Sequence, residues 1–247
     1  MGDIYLKPVD SREVSQRIRE ELLDWIQESA KGNDVFKLPN EEELAKMLNV
    51  SRTGLRDALT VMEGEGYITR RRGIGTLVNP VIARCRTRLD LRTELSDLIA
   101  AQGYEPSFKL CNMEFVEESR ENVRPTETGY LKVEKVFYAD GIHVAYCVDR
   151  LAGSIAIKTK EHFQELEYKN LYDFIEKYIG VQCAYVLSNV RAERPIPYQA
   201  EIMEIKPDMP VLYLDNVTFD HDHMPYMDSS VLLRTDILKM QLLRKTI

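Results

Sequence analysis

Between residues 11 and 29 the apolar positions Val14, Ile18, Leu22 and Ile26 return at four-residue steps, and Leu23 and Trp25 widen the stripe. That period predicts an amphipathic helix, with Ser11 able to cap its start. Lys31-Gly32-Asn33-Asp34 is a breaker cluster. Asn40 then stands before Glu41-Glu42-Glu43-Leu44-Ala45-Lys46-Met47-Leu48. A capping side chain, a glutamate three residues on and acids at the positive helix end predict a short second helix. Ser51 caps a third, running to about Glu65, with Leu55, Ala58, Leu59 and Met62 inward and Gly66 as its stop. From Tyr67 the period changes: two strand-like runs flank Gly73-Ile74-Gly75, which predicts a β-hairpin directly after the third helix. Three helices and a hairpin, with only a short turn between helices two and three, form a winged helix-turn-helix.

Asn79-Pro80 closes this unit, so residues 1–79 are expected to be a DNA-binding domain, 80–88 a linker and 89–247 a second domain. Residues 89–102 predict a helix through Leu91, Leu95, Leu98 and Ile99, with Gly103 as terminator. Alternating runs then predict strands at 109–116, 130–139, 142–151, 184–193, 211–220 and 227–238, and Asp140-Gly141 marks a tight hairpin between two of them. Helices are expected at 170–179 and 198–204. The fold class is therefore α+β, with a mainly antiparallel sheet in the second domain.

Composition alters this picture little. The 247 residues are 44% hydrophobic and 30% charged, an ordinary globular balance. No apolar run approaches the roughly 18 residues of a membrane span, and the first residues do not resemble a signal peptide. A cytoplasmic protein without membrane contact is expected. Cys85, Cys111, Cys147 and Cys183 form no C-x-x-C pair, in keeping with reduced thiols and against a zinc ribbon. The net charge of -7 runs against nucleic-acid binding, but residues 45–80 hold six Lys/Arg against three acids. His221-Asp222-His223 reads as loop decoration rather than a metal site, since no further His or Cys is placed to complete a ligand set. No cofactor is called for.

Five segments in the first 80 residues carry a resemblance: 38–45 (Leu-Pro-Asn-Glu-Glu-Glu-Leu-Ala), Val50-Ser51-Arg52-Thr53, Arg56-Asp57-Ala58-Leu59, Glu65-Gly66-Tyr67-Ile68 and Arg72-Gly73-Ile74-Gly75-Thr76. They resemble the DNA-binding domain of GntR regulators. Further on, Gly103-Tyr104-Glu105-Pro106-Ser107, Ala139-Asp140-Gly141, Asn170-Leu171-Tyr172 and Arg234-Thr235-Asp236 are similar to the UTRA effector domain of the HutC-type branch. The resemblance implies a chorismate-lyase-like fold for the second domain, a homodimer on a palindromic double-stranded operator, and control by a small-molecule effector, with repression as the default. One position departs from the family, which usually has arginine where this chain has Glu42.

In the first turns of the third helix, Arg52, Thr53 and Arg56 are placed to enter the major groove, where arginine pairs with guanine and threonine reaches a base or phosphate. Ser51 and the free N–H groups of that helix start suit a phosphate oxygen. Alternation puts Arg71 opposite Arg70 and Arg72, and Arg72 beside Gly73 and Gly75 is the favoured wing contact. For the effector, the resemblance points to Lys135, Asn170, Tyr172, Arg92, Thr93 and Arg234. It also implies that Phe137, Cys147 and Met227 replace polar ligand-binding groups, and hence a less polar effector. Asn170 as an ordinary cap, Tyr172 as core and Arg234–Asp236 as an internal ion pair remain open. Two other functions stay open as well: a constitutive dimeric DNA binder with a degenerate pocket, and a lyase-like enzyme, for which no nucleophile–base pair or phosphate loop is found.

Overall fold

In the computed structural model, residues 11–29, 34–85, 87–91, 93–117, 129–167 and 170–245 are described, the side chains of 11–13 and 167 excepted. The cap expected of Ser11 and the breaker residues 31–33 therefore lie outside the described set. Two compact units divide the chain between residues 86 and 87.

In the first unit, α1 (Ser11–Ser29) buries Ile18, Leu22 and Ile26 against the inward face of α3 (Arg52–Gly64), formed by Leu55, Ala58, Leu59 and Met62. Between them, α2 (Glu41–Met47) begins with the expected capping box. Asn40 Oδ1 accepts from Glu42 N and Glu43 N, and Glu43 Oε2 accepts from Asn40 N. Ser51 caps α3 by accepting from Gly54 N at 3.1 Å. The hairpin is β2 (Ile68–Arg71) with β3 (Gly75–Val78), and a two-residue strand the sequence did not reveal, β1 (Phe36–Lys37), pairs with β3 on its other side. Pro80–Ala83, read from sequence as the start of a linker, forms a short helix, α4, that docks on α1. There Gln27 Nε2 donates to the Ala83 carbonyl at 2.9 Å and Ala83 is fully buried.

The second unit is a six-stranded antiparallel sheet in the order β4-β5-β6-β9-β8-β7. Its strands are β4 (Pro106–Val116), β5 (Tyr130–Ala139), β6 (Ile142–Ala152), β7 (Tyr185–Glu193), β8 (Val211–Phe219) and β9 (Pro225–Leu233). Helix α5 is confined to Leu95–Ala100, shorter than the 89–102 expected from periodicity. Residues before it are drawn into long-range pairing: Leu89 N donates to the Gln241 carbonyl and Gln241 N to the Thr87 carbonyl. Two further elements, α6 (Gly153–Thr159) and a 3-10 turn over Lys160–Glu167, follow β6 where no helix is expected from the sequence. The last strand ends at Leu233 rather than 238, because a turn follows in which Leu238 N donates to the Arg234 carbonyl.

Strand alternation gives the sheet two unlike faces. One is covered at one end by α5, over Ala139, Ala145 and Leu233, and at the other by α6 and α7 (Leu171–Ile179), over Leu131, Val133, Leu151 and Met227. The opposite face packs Val136, Tyr146, Val148 and Leu232 against Met203, which follows α8 (Pro197–Ile202).

Candidate functional site

In the first unit, Ser51, Arg52, Thr53 and Arg56 are all exposed at the start of α3, as expected of a groove-reading helix. Their states differ. Ser51 spends an acceptor site on its own helix cap. Arg56 Nε lies 2.7 Å from Glu41 Oε2, an ion pair between α3 and α2. Among the described residues Arg52 has no ion pair. On the hairpin, Arg70 is clamped to α3: its backbone N–H donates to Glu63 Oε1 and its Nε to Glu63 Oε2, each at 2.7 Å, and a terminal nitrogen reaches Thr60. The backbone hydrogen bond from Arg70 is the largest influence on Glu63, and with the guanidinium it holds that carboxyl below its ordinary range. The clamp fixes the base of the wing and leaves Arg72 exposed in the tip, where the Ile74 N–H closes the turn on the Arg71 carbonyl. Glu42, where a cation would favour phosphate, pairs with Lys46 at 3.0 Å.

The wing tip needs both glycines, for different reasons. Gly73 (φ +79°) faces open space, whereas at Gly75 (φ +112°) a Cβ would come within 2.5 Å of Lys37 Cε on β1. Gly73→Ala should therefore cost only the left-handed backbone penalty, roughly 1 kcal/mol. Gly75→Ala should cost more, because φ +112° lies outside the left-handed region that an L residue can adopt, while the Lys37 side chain can swing aside. Thermal melts of the two variants check this, and equal melting temperatures would count against the backbone strain at Gly75.

In the second unit a cavity of about 370 Å³ opens over the middle of the α5/α7 face. The strand register arranges its floor in rows. Lys135, Cys147, Val231 and Leu214 lie opposite one another on β5, β6, β9 and β8. One step along, Asp149, Ser229, Asn216 and Ser188 form a polar row across β6, β9, β8 and β7. All eight line the cavity, as do Thr93, Asn170 and Tyr172 from the segments above.

Of the effector residues expected from sequence, the structure thus brings together Lys135, Asn170, Tyr172 and Thr93. Arg92 lies outside the described residues. Arg234 is not in the lining; it pairs with Asp236 at 2.8 Å and donates to the His143 carbonyl at 3.1 Å. Asn170 caps α7 through Asp173 N, and the Tyr172 hydroxyl lies 3.3 Å from Thr218 Oγ1. Cys147 lines the cavity, while Met227 is buried in the core beneath α6 and α7.

Several polar lining groups were not foreseen from the sequence. Arg88, 3% exposed, donates from Nε to Asp90 Oδ1 at 3.1 Å, and the pair sits in the wall with Glu94. Asp149 is half-buried on the cavity floor. Burial pushes its carboxyl up, against the pull of the neighbouring Ser229 hydroxyl, the Cys147 thiol and the Lys135 cation. Burial likewise lowers Lys135, whose charge is shared between Asp149 and the face of Phe108, 4.5 Å from Nζ. The Ser229 hydroxyl does not reach hydrogen-bonding geometry: Ser229 Oγ and Asn216 Oδ1 are buried without a hydrogen-bond partner among the described residues. Asp149 could have been found from the period-2 phase it shares with Cys147. Arg88 carries no such signal.

Among the described residues no group of His, Cys, Asp or Glu could hold a metal ion, and His223 Nδ1 instead lies 3.0 Å from the Tyr185 hydroxyl. No described helix is long and apolar enough to cross a membrane.

Comparison with known proteins matches residues 11–78 to the bacterial regulatory proteins of the gntR family and residues 101–239 to the UTRA domain. The HTH-type transcriptional repressor NagR of Bacillus subtilis (strain 168) is 24% identical over 208 residues, 82% of this chain and 83% of that one. Among solved structures, the possible transcriptional regulator YydK of Bacillus subtilis superposes with a TM-score of 0.73 at 18% identity, covering 95% of this chain and 99% of its own. PhnF from Mycobacterium smegmatis gives 0.57 at 22% identity, covering 93% and 100%. These two structures share the fold.

Proposed function

The chain belongs to the GntR family of bacterial regulatory proteins, in the branch that carries a UTRA domain, and is a DNA-binding transcriptional regulator; from that premise we propose a homodimeric repressor whose operator affinity is set by a small molecule in the cavity of the second unit. The observation that carries the reading is how the arginines are used: Arg70 and Arg56 are tied into the fold, while Arg52 at the start of α3 and Arg72 in the wing tip stand exposed. Arg52 reads the major groove and Arg72 reaches the minor groove or the backbone beside it. Two copies present their recognition helices about 34 Å apart on one side of a palindromic operator. A homodimer is supported by β7, a nine-residue outer strand with Leu187 and Val190 more than half exposed, since long bare edges of this kind are covered in native proteins. Effector binding favours one of two arrangements of the dimer and so shifts the balance between bound and free operator.

Selection of bound sequences from random duplex DNA, with the full chain at moderate salt, tests this directly. Enrichment of a short palindrome is the expected result, and sedimentation of the protein should give a dimer. Enrichment of a single half-site together with a monomeric mass would overturn the dimeric reading.

A further inference from the structure

The reading of the cavity as an effector site says nothing of what the effector is, but the chemistry of its floor does. The polar row crosses four strands in register, and its members are short of donors. The half-buried Asp149 carboxyl on the cavity floor accepts from the weak Cys147 thiol donor at 3.4 Å, and a carboxylate offers about four acceptor sites. Beside it, Ser229 is only 3% exposed, and its hydroxyl and the Asn216 amide oxygen complete no hydrogen bond among the described residues. Buried polar atoms left in that state are costly, and a ligand that supplies donors removes the cost.

The cations that line the described cavity are already engaged. Arg88 is held by Asp90, and Lys135 lies over the Phe108 ring facing Asp149. A phosphate ester brought onto the row would meet Asp149, with Glu94 a second carboxylate in the wall. The neighbouring wall is apolar: Leu95, Leu98, Phe137, Leu214, Val231 and Leu233.

We propose that the effector is amphiphilic, with a polar end that donates hydrogen bonds to the Asp149–Ser229–Asn216 row through hydroxyls or an amine, an apolar end against the Leu98–Phe137–Leu233 wall, and no phosphate. This rests on the cavity being the effector site.

The test uses the full chain and three probes at millimolar concentration: hexyl β-glucoside for the hydroxyl form, hexylamine for the amine form and glucose 6-phosphate as the contrary case. Each is followed by thermal melting and by titration of the selected operator. One of the two hexyl compounds should raise the melting temperature, and which one does so tells hydroxyls from an amine. Ser229→Ala should weaken that probe about tenfold while leaving the unliganded melting temperature equal or higher, because it removes a buried hydroxyl that has no partner. A merely structural role for Ser229 would instead lower stability and spare binding. Stabilisation by glucose 6-phosphate alone, with altered operator affinity, overturns the amphiphilic, phosphate-free ligand and keeps the effector site. Binding of a hexyl compound without any change in operator affinity keeps the chemistry and overturns the regulatory reading. No stabilisation by either hexyl compound overturns the proposal.

Discussion

Arg52→Ala should weaken binding to the selected operator by about 1 to 3 kcal/mol, roughly 5- to 150-fold, and should relax base preference at one position of each half-site. Arg52 is the first residue of α3, exposed and outside any ion pair among the described residues, so its guanidinium can offer both donors of a bidentate contact to a guanine edge. Arg56, one turn on, is held 2.7 Å from Glu41 and must give up or share that pair to reach DNA. Its truncation should therefore cost less than that of Arg52. Because Arg52 supports nothing else in the described structure, the melting temperature of the variant should be unchanged, which separates lost recognition from lost folding. Anisotropy titrations at one fixed salt concentration, on the operator and on a set with single substituted base pairs, give both readouts. Unchanged affinity across the set would remove Arg52 from the interface.

What could be read from the sequence was what local chemistry decides. The Asn40 box, the Ser51 cap and the Gly73-Ile74-Gly75 turn are each complete within a few residues, so the three helices and the hairpin of the first unit are legible in the sequence, while β1 and α4 are not. Asp140 and Gly141, both at positive φ, make the tight hairpin that their dipeptide announces. The start of the second unit was not legible in this way. Residues 87–89 pair with Gln241, more than 150 positions away, and this contact overrides a helical period that was otherwise sound. The 3-10 turn over Lys160–Glu167 and α6 before it were missed for a different reason. Ile155, Ala156, Thr159, Phe163 and Leu166 do recur at helical spacing, but across a lysine- and glutamate-rich run that hides the stripe.

The cavity lies between these cases. Alternation alone puts Cys147 and Asp149 on one face of β6, but the meeting of Asp149, Ser229 and Asn216 depends on the register of three strands from distant parts of the chain. The expectation of a less polar effector came from weighing single positions, Phe137, Cys147 and Met227, against the family pattern. The polar groups of this chain stand one step along the same strands, at positions that a residue-by-residue comparison does not visit.

Glu134→Ala should be the most damaging single change in the second unit, costing about 3 to 5 kcal/mol, the usual result of removing one member of a buried charged pair. Glu134 is 2% exposed on the face opposite the cavity. It is bonded to Lys132 Nζ at 2.7 Å, accepts from Tyr198 at 3.1 Å and Asn112 at 3.3 Å, and also accepts from the Tyr146 hydroxyl. Burial by itself would raise its carboxyl, but the bonds from Lys132, Tyr146 and Asn112 outweigh it and bring the pKa down to about 2. The same contact, added to burial, drives the Tyr146 hydroxyl far above its ordinary value. A folded pKa below the unfolded one means stability that is fully present above the unfolded value, near 4.5, and is lost as pH falls toward about 2. Glu134→Gln, which keeps the shape but not the charge, should therefore be less stable than the parent at pH 6, by about 1.5 to 3 kcal/mol, and should approach it as pH falls toward 3. Urea melts of the two proteins across that range measure the convergence. A gap that stays constant would mean that Glu134 is not held ionised, and that β5 is fixed by packing alone. Convergence would make the carboxylate the anchor of β5 on one face, and since Lys135 is the next residue and points to the other, the anchor that also sets the cation in the cavity.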